Sequence, residues 1–325
     1  MIVSSELRAW ANDPERQREA RHAADGLATS WGDGPIHRRF AESFADLPDN
    51  DAQAVIAAVE ALFADDLWVD TLIATLAAEM HRNPFFEPPF RHISSDVHKG
   101  LIVYEDDHVS IAAGVSGVTD LAGKKSGIRP ATSIAFSGQA SVFKFVKSGG
   151  ARLSFWRVPT ITETFTASDA GRCERIGERA IVNGEILVLD GRCETFIIEQ
   201  ASSNIVILQA SVKPGRAPVA VEYSSDSRAF VGCSAADDSA SRIQMITTLL
   251  RKLGATSAVP AIAAFADHPN FFVRWHVMRD LIGLDPIAAL PHLTRMAAGD
   301  PHPETREAAR RTLVRLRQAT MRKAA

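Results

Sequence analysis

GEILVLDGRCETFIIE, residues 184–199, places two apolar runs either side of a turn signal. EILVL and TFIIE carry the branched and aromatic residues that strands favour, and Asp190-Gly191 between them suits a hairpin turn. The same grammar extends in both directions. GLIVY (100–104), HVSIAAGV (108–115), TSIAF (132–136), SVFKFV (141–146), RLSFW (152–156), NIVILQASV (204–212), VAVEY (219–223) and RAFVG (228–232) are short apolar runs. Asp106-Asp107, Ser148-Gly149-Gly150, Asn183-Gly184 and Ser202-Ser203-Asn204 read as further hairpin turns. In SVFKFVK, Phe143 and Phe145 fall on one face and Lys144 on the other, which predicts strands with one buried side. About ten such strands in roughly 140 residues predict a closed barrel or a two-sheet jelly roll.

The spacing within 184–199 resembles the second metal-binding motif of the cupin superfamily, in which Gly, Pro, Gly, His and Asn recur at fixed intervals. Gly184 opens that frame. Asp190 stands at the Pro position, Arg192 at the second Gly, Thr195 at the ligating His and Glu199 at the Asn. The resemblance implies a cupin-like, RmlC-like jelly roll over residues 92–233 whose usual metal motif is degenerate. None of the ten histidines lies between Val109 and Asp267, and no His-x-His pair occurs. Transition-metal sites in such barrels need imidazoles converging with a carboxylate. The expectation is therefore no conventional metal and no cofactor. In the cupin frame Thr195, Glu199 and Gln209 would point inward and orient a small ligand, with Trp156 lining it. The same residues also read as ordinary strand positions.

Helical grammar flanks the strands. Asp13-Pro14 is a helix start, Val55, Val59 and Leu62 repeat at helical spacing, and Asn83-Pro84 ends the run through Leu72, Leu76 and Met80. After the strands, AVPAIAAFADHPNFFVRWHVMRDL is followed by ALPHLTRMAAGDPHPETREAARRTL. Val259-Pro260 aligns with Leu290-Pro291 at an offset of 31, and Arg274 with Arg306 at 32. This resembles a pair of HEAT-like repeats of the short bacterial (PBS-lyase) type. The family's turn Asp matches Asp267 and Asp300, and its second-helix Arg matches Arg274 and Arg306. A preceding helix, SRIQMITTLLRKLG, would start on a Ser241/Gln244 capping box, end at Gly254, and seat the repeats on the barrel through Ile243, Ile246, Leu250 and Leu253. The organisation expected is α+β and multidomain: a helical segment over 1–84, a cupin-like antiparallel β barrel over 85–235, and HEAT-like helices over 236–325.

Composition narrows the function. The chain has 325 residues, 46% of them hydrophobic, and a formal charge of −3, which gives no electrostatic reason to expect nucleic acid or an anionic membrane. Cys173, Cys193 and Cys233 form neither a disulfide framework nor a metal knuckle, and no apolar run reaches membrane-spanning length. These features fit a soluble cytoplasmic protein. HISSDVHKGLIVYEDDHVSI offers the best local cluster. His98, His108 and Tyr104 are the catalytic candidates there, and His92, His98 and His108 an atypical metal set, if the hairpin brings them together. A solvated turn with surface histidines accounts for the same residues. Arg310 and Arg311, in an Arg-rich final helix, are candidates for a protein partner. The leading expectation is a non-catalytic binding or scaffold protein, with a metal-free cavity for a small ligand or peptide and helices for a protein partner. The alternative is a cupin-type enzyme acting on a small molecule or peptide, metal-free or with that atypical His site.

Overall fold

The computed structural model describes residues 4–65, 67–95, 97–121 and 133–324. Helices come first: α1 (Ser5–Ala11), α2 (Pro14–Gly32), α3 (Pro35–Phe44), α4 (Ala52–Ala64) and α5 (Leu67–Arg82). The strands follow: β1 (Arg91–Ser94), β2 (His98–Glu105), β3 (Val109–Ser116), β4 (Ser133–Phe136), β5 (Ala140–Lys147), β6 (Arg152–Arg157), β7 (Glu174–Ala180), β8 (Glu185–Asp190), β9 (Glu194–Gln200), β10 (Ile205–Val212), β11 (Val219–Ser224) and β12 (Phe230–Ala235). Helices return with α6 (Asp238–Lys252), α7 (Val259–Ala263), α8 (Phe271–Leu284), α9 (Pro286–Gly299) and α10 (Pro303–Ala324). The order is thus helices, a central antiparallel β region, and helices again, an α+β arrangement. The chain forms two compact units: Met1–Pro130, Gln139–Trp156 and Arg175–Arg216 in the first, and Ala131–Gly138, Arg157–Glu174 and Ala217–Ala325 in the second.

In the first unit, Asp13 caps α2, its Oδ1 accepting from the Glu15 and Arg16 amides, and Pro14 takes the first helical position where its missing N–H costs nothing. A six-stranded sheet runs β1-β2-β3-β10-β5-β8, and a three-stranded sheet runs β7-β6-β9. Asp106-Asp107 turns the β2–β3 hairpin as expected. The other turn signals do something else. β5 and β8 lie in the large sheet while β6, β7 and β9 lie in the small one, so the turns after 147, 180, 190 and 200 carry the chain from one sheet to the other. The expected β8–β9 hairpin is therefore a corner: β8 pairs with β5, and β9 neighbours β6. The corners lock one another. The Gly149 carbonyl accepts from the Ser202 and Ser203 amides, and Asn183 Oδ1 accepts from the Ser148 amide and hydroxyl. Gly149 has φ 59°, and a Cβ there would lie 2.4 Å from the Ser203 carbonyl, so the corner needs glycine.

Both faces of the large sheet carry packed side chains. On its outer face Val103, Tyr104, Val109, Ile111, Val142, Leu208 and Ala210 pack against Phe40, Val59, Phe63 and Trp68 of α3–α5. On its inner face Phe145, Ile205 and Ile207 pack with Leu153 and Ile181, joined by Phe143, Leu187, Phe196 and Ile198. This corrects the reading of SVFKFVK as a strand with one buried side. Lys144 is only 4% exposed, and its Nζ donates to the Phe63 carbonyl in the last turn of α4 at 2.6 Å. The cation is tolerated because it meets a carbonyl that the helix end leaves without an intrahelical partner.

In the second unit β12-β11-β4 form an antiparallel sheet whose Tyr223 packs edge-on to Phe136 and Phe230 and donates to the Ala170 carbonyl. α6 departs from expectation at its start. Its N-cap is Asp237, accepting from the Ser239 amide, not the Ser241/Gln244 box. Its end is as read: the Gly254 amide donates to Arg251 and the Ala255 amide to Leu250, with Gly254 at φ 64°. The buried stripe also differs. Ala240, Ile243, Thr247 and Leu250 face the helical core, while Ile246 and Leu253 are 56% and 70% exposed. Behind α6, α7–α8 and α9–α10 form two helix pairs around Val273, Val277, Leu281, Leu293 and Ala309.

Candidate functional site

The β2–β3 hairpin separates the histidines instead of gathering them. His98 pairs with Ser116 at the open end of the ladder, whereas His108 lies beyond Glu105↔Ser110 at the turn. At strand rise that is roughly 20 Å. His92 sits on β1 opposite Leu101. Among the described residues no three His, Cys, Asp or Glu side chains come together in an arrangement able to hold a metal ion. The proposed His92, His98 and His108 set is corrected on this geometry. Tyr104 is structural in its surroundings. It packs on Phe40, Phe44 and His37 and donates to Asp106 Oδ2 at 2.9 Å; burial, then the Asp106 carboxylate, push its hydroxyl well above the usual value. Asp106 Oδ1 meanwhile holds the turn by accepting from the His108 and Val109 amides.

Register settles which strand residues share the inner face. Ile205 and Ile207 face the inner core, so strand alternation puts Gln209 there too, in a cross-strand row with Ala112 and Phe143. Ser110, Ser211 and Ser141 form the next row, and Gly100, Gly114 and Ile207 the row on the other side. His98 lies at the end of this wall with its Nδ1 3.2 Å from the Ser116 hydroxyl, its ring so close to Gly114 that a Cβ there would come within 2.5 Å. Burial pushes the His98 imidazole below its ordinary value.

Thr195 and Glu199 are not on that wall. Phe196 and Ile198 face the inner core, so alternation turns Thr195, Ile197 and Glu199 to the opposite side of β9. The expectation of one inward set of Thr195, Glu199 and Gln209 is corrected accordingly. Glu199 instead joins Trp156. The fully buried Ser154 hydroxyl donates to Glu199 Oε1 at 2.5 Å and accepts from Trp156 Nε1 at 2.9 Å. Two predicted residues are thus linked through a third that the sequence reading passed over. Ser154 gave a signal: a serine between Leu153 and Phe155, on the face that alternation separates from them.

The second unit carries a groove of about 620 Å³ between α6, α8 and α10. Its apolar floor is Phe271, Phe272 and Trp275, and Arg279, Glu304, Glu307 and Arg311 stand around it. Arg311 Nε lies 3.8 Å from Glu307. Arg310, its predicted companion, turns away and donates to the Ala297 carbonyl in the last turn of α9. The groove wall is braced from beneath. Asp280, 3% exposed, accepts from Arg251 Nε at 2.6 Å, and His276 Nε2 lies 3.1 Å from Asp280 Oδ2 and 2.7 Å from the Thr248 hydroxyl. Sequence reading named the repeat and Arg311 on its last helix, but not Arg279 or the groove that gathers them. FFVRWHVMRD was the available signal, with aromatics at 272 and 275 on one turn and Arg279 a turn later on the same face.

The family model for HEAT repeats matches residues 232–314, which include all of the groove-forming helix α8. No curated protein matches the chain. Solved structures similar to it include a cupin domain from Bordetella pertussis, 9% identical, covering 37% of this chain and 98% of that one at a TM-score of 0.23. Ectoine synthase from P. lautus is 10% identical over 38% of this chain and 69% of its own, at 0.22. Hydroxypropylphosphonic acid epoxidase from S. wedmorenis is 6% identical over 38% of this chain, which spans 55% of that enzyme, at 0.25. These are likenesses of a part of the chain at low overlap.

Proposed function

We propose that this chain is a binding protein that holds an extended segment of a protein partner in the groove between α6, α8 and α10. The observation that carries this is the composition of that groove: an aromatic floor of Phe271, Phe272 and Trp275 ringed by charges of both signs. Large aromatics in a concave, partly desolvated setting supply most of the energy at protein interfaces, and the surrounding charges set register and partner choice. Arg279 has no hydrogen bond or ion pair among the described residues, which leaves a cation for an incoming acidic group. The inner wall of the large sheet, with Gln209 among Ser110, Ser141 and Ser211, is the corresponding place for a small ligand or peptide. It offers neutral donors and acceptors, which orient a ligand without chemistry of their own. The positions of His98 and His108 at opposite ends of the β2–β3 hairpin favour the binding reading over an enzyme with an atypical His site.

The test compares the full chain with its Trp275→Ala and Arg279→Glu variants as bait in extract of its own cells. Proteins enriched by the parent chain should be lost from both variants while thermal unfolding stays within a few degrees. Retention of the same proteins by both variants overturns the groove reading.

A further inference from the structure

α5 covers only part of the outer face of the large sheet. Past Val69 and Leu72, which are packed, a groove of about 380 Å³ opens between the helix and strands β1, β2, β3 and β10. Ile73 and Leu76 form its helical wall, and Leu101, Val115 and Val206 line the sheet side. Ile73 is 52% exposed and Val115 40%, so large aliphatic side chains face an opening instead of a partner. The rim is polar, and its imidazole, His92 Nε2, lies 4.0 Å from Glu87 Oε1. Ser94 and Lys99 are direct cross-strand partners, and His92 lies opposite Leu101 two pairs along on the same face, so an ammonium and a hydroxyl stand side by side with an imidazole further along the rim. Among the described residues no Asp or Glu lines the groove, and Lys99 makes no ion pair or hydrogen bond with any of them.

We infer that this groove binds an amphiphilic carboxylate, its alkyl chain lying between α5 and the sheet and its carboxylate meeting Lys99. The volume falls in the small-ligand range, and an apolar trough with a few convergent polar groups is the form such sites take. An uncharged chain would leave the ammonium without a counterpart, and an anion without a chain would leave Ile73, Val115 and Val206 in water. Only a molecule with both parts answers both ends, because a carboxylate accepts charge-assisted hydrogen bonds from ammonium and hydroxyl donors.

The test titrates the full chain with dodecanoate and with dodecanol, both below their aggregation limits, by calorimetry and by displacement of a fluorescent fatty acid. Saturable one-to-one binding of dodecanoate is expected. Lys99→Met should weaken dodecanoate about tenfold or more while leaving dodecanol nearly unchanged, since the alkyl stem is kept and only the charge goes. Ile73→Glu, at a half-exposed helix position the fold tolerates, should abolish binding of both. Absence of saturable binding to the parent chain, equal loss of both probes in Lys99→Met, or full binding by Ile73→Glu each overturns the inference. So does finding that the face is instead covered by a second copy of the chain at micromolar concentration.

Discussion

Arg274 of α8 closes a bidentate pair on Asp300 at the end of α9, Nε to Oδ2 and Nη2 to Oδ1, both at 2.8 Å. Both residues are less than 10% exposed. The remaining guanidinium nitrogen donates to the His268 and Pro269 carbonyls, and Asp300 Oδ1 also accepts from the His302 amide. One pair therefore ties the turn before α8 to the turn before α10. A buried ion pair whose spare donors and acceptors are all used resists loss of one partner far more than loss of both.

Arg274→Leu should accordingly destabilise the chain by about 3–5 kcal/mol, because Asp300 is left charged and buried. The double replacement Arg274→Leu with Asp300→Leu should cost clearly less than the sum of the singles. Urea unfolding of the four chains as a double-mutant cycle measures the coupling; additive losses would mean that the pair is not acting as a unit.

Lys144→Met keeps the stem of the side chain and removes the donor to the Phe63 carbonyl. Leaving that buried carbonyl unmatched should cost about 1–3 kcal/mol. Hydrogen exchange should locate the loss in the last turn of α4, and an unchanged stability would show that water satisfies the carbonyl.

Gly114→Ala places a methyl against the His98 ring, with contacts of 2.5 and 2.6 Å, and 3.0 Å from the Lys99 carbonyl. A loss of about 1–3 kcal/mol is expected from this overpacking. Adding His98→Ala should recover part of it, as thermal melts of the single and double variants would reveal.

His98 also sets a pH dependence. Its imidazole is pushed below the ordinary 6.5 by burial, so the unfolded chain takes up this proton more readily than the folded one. Stability contributed here is present above about pH 6.5 and falls as the pH drops through that value towards the lower folded-state pKa. His268 is shifted in the same direction, again by burial first. Denaturant midpoints compared at about pH 7.5 and about pH 5.5 should therefore drop less in His98→Asn than in the parent chain. Parallel curves for the two chains would remove His98 from the account.

Strands and their faces were largely legible because alternation and turn residues are local. All ten apolar runs named from the sequence are strands. The two that were missed lacked that signal: RHIS is short, and ERIGERA has charges at four of its seven positions and is exposed along its whole length as a sheet edge. Lys144 misled because a cation on alternate positions normally marks solvent, and only the arrival of α4, from eighty residues earlier, buries it. In α6 the stripe was read one step round the helix, since Ala240 and Thr247 carry weak apolar signals yet pack, whereas Ile246 and Leu253 do not.

By itself the sequence determined the order of helices, strands and helices, the capping of α2, the places of the glycine-bearing turns and the repeat that matches Asp267 with Asp300 and Arg274 with Arg306. Each of these rests on φ/ψ preference or on periodicity, which act over a few residues. Only the tertiary structure decided that the turns at 148–150, 183–184, 190–191 and 202–204 cross between sheets, that His98 and His108 stand apart, and that Glu199 meets Trp156 through Ser154. Those outcomes depend on strand pairing between distant segments, and a turn sequence states how the chain bends without stating which strand it will bond to next.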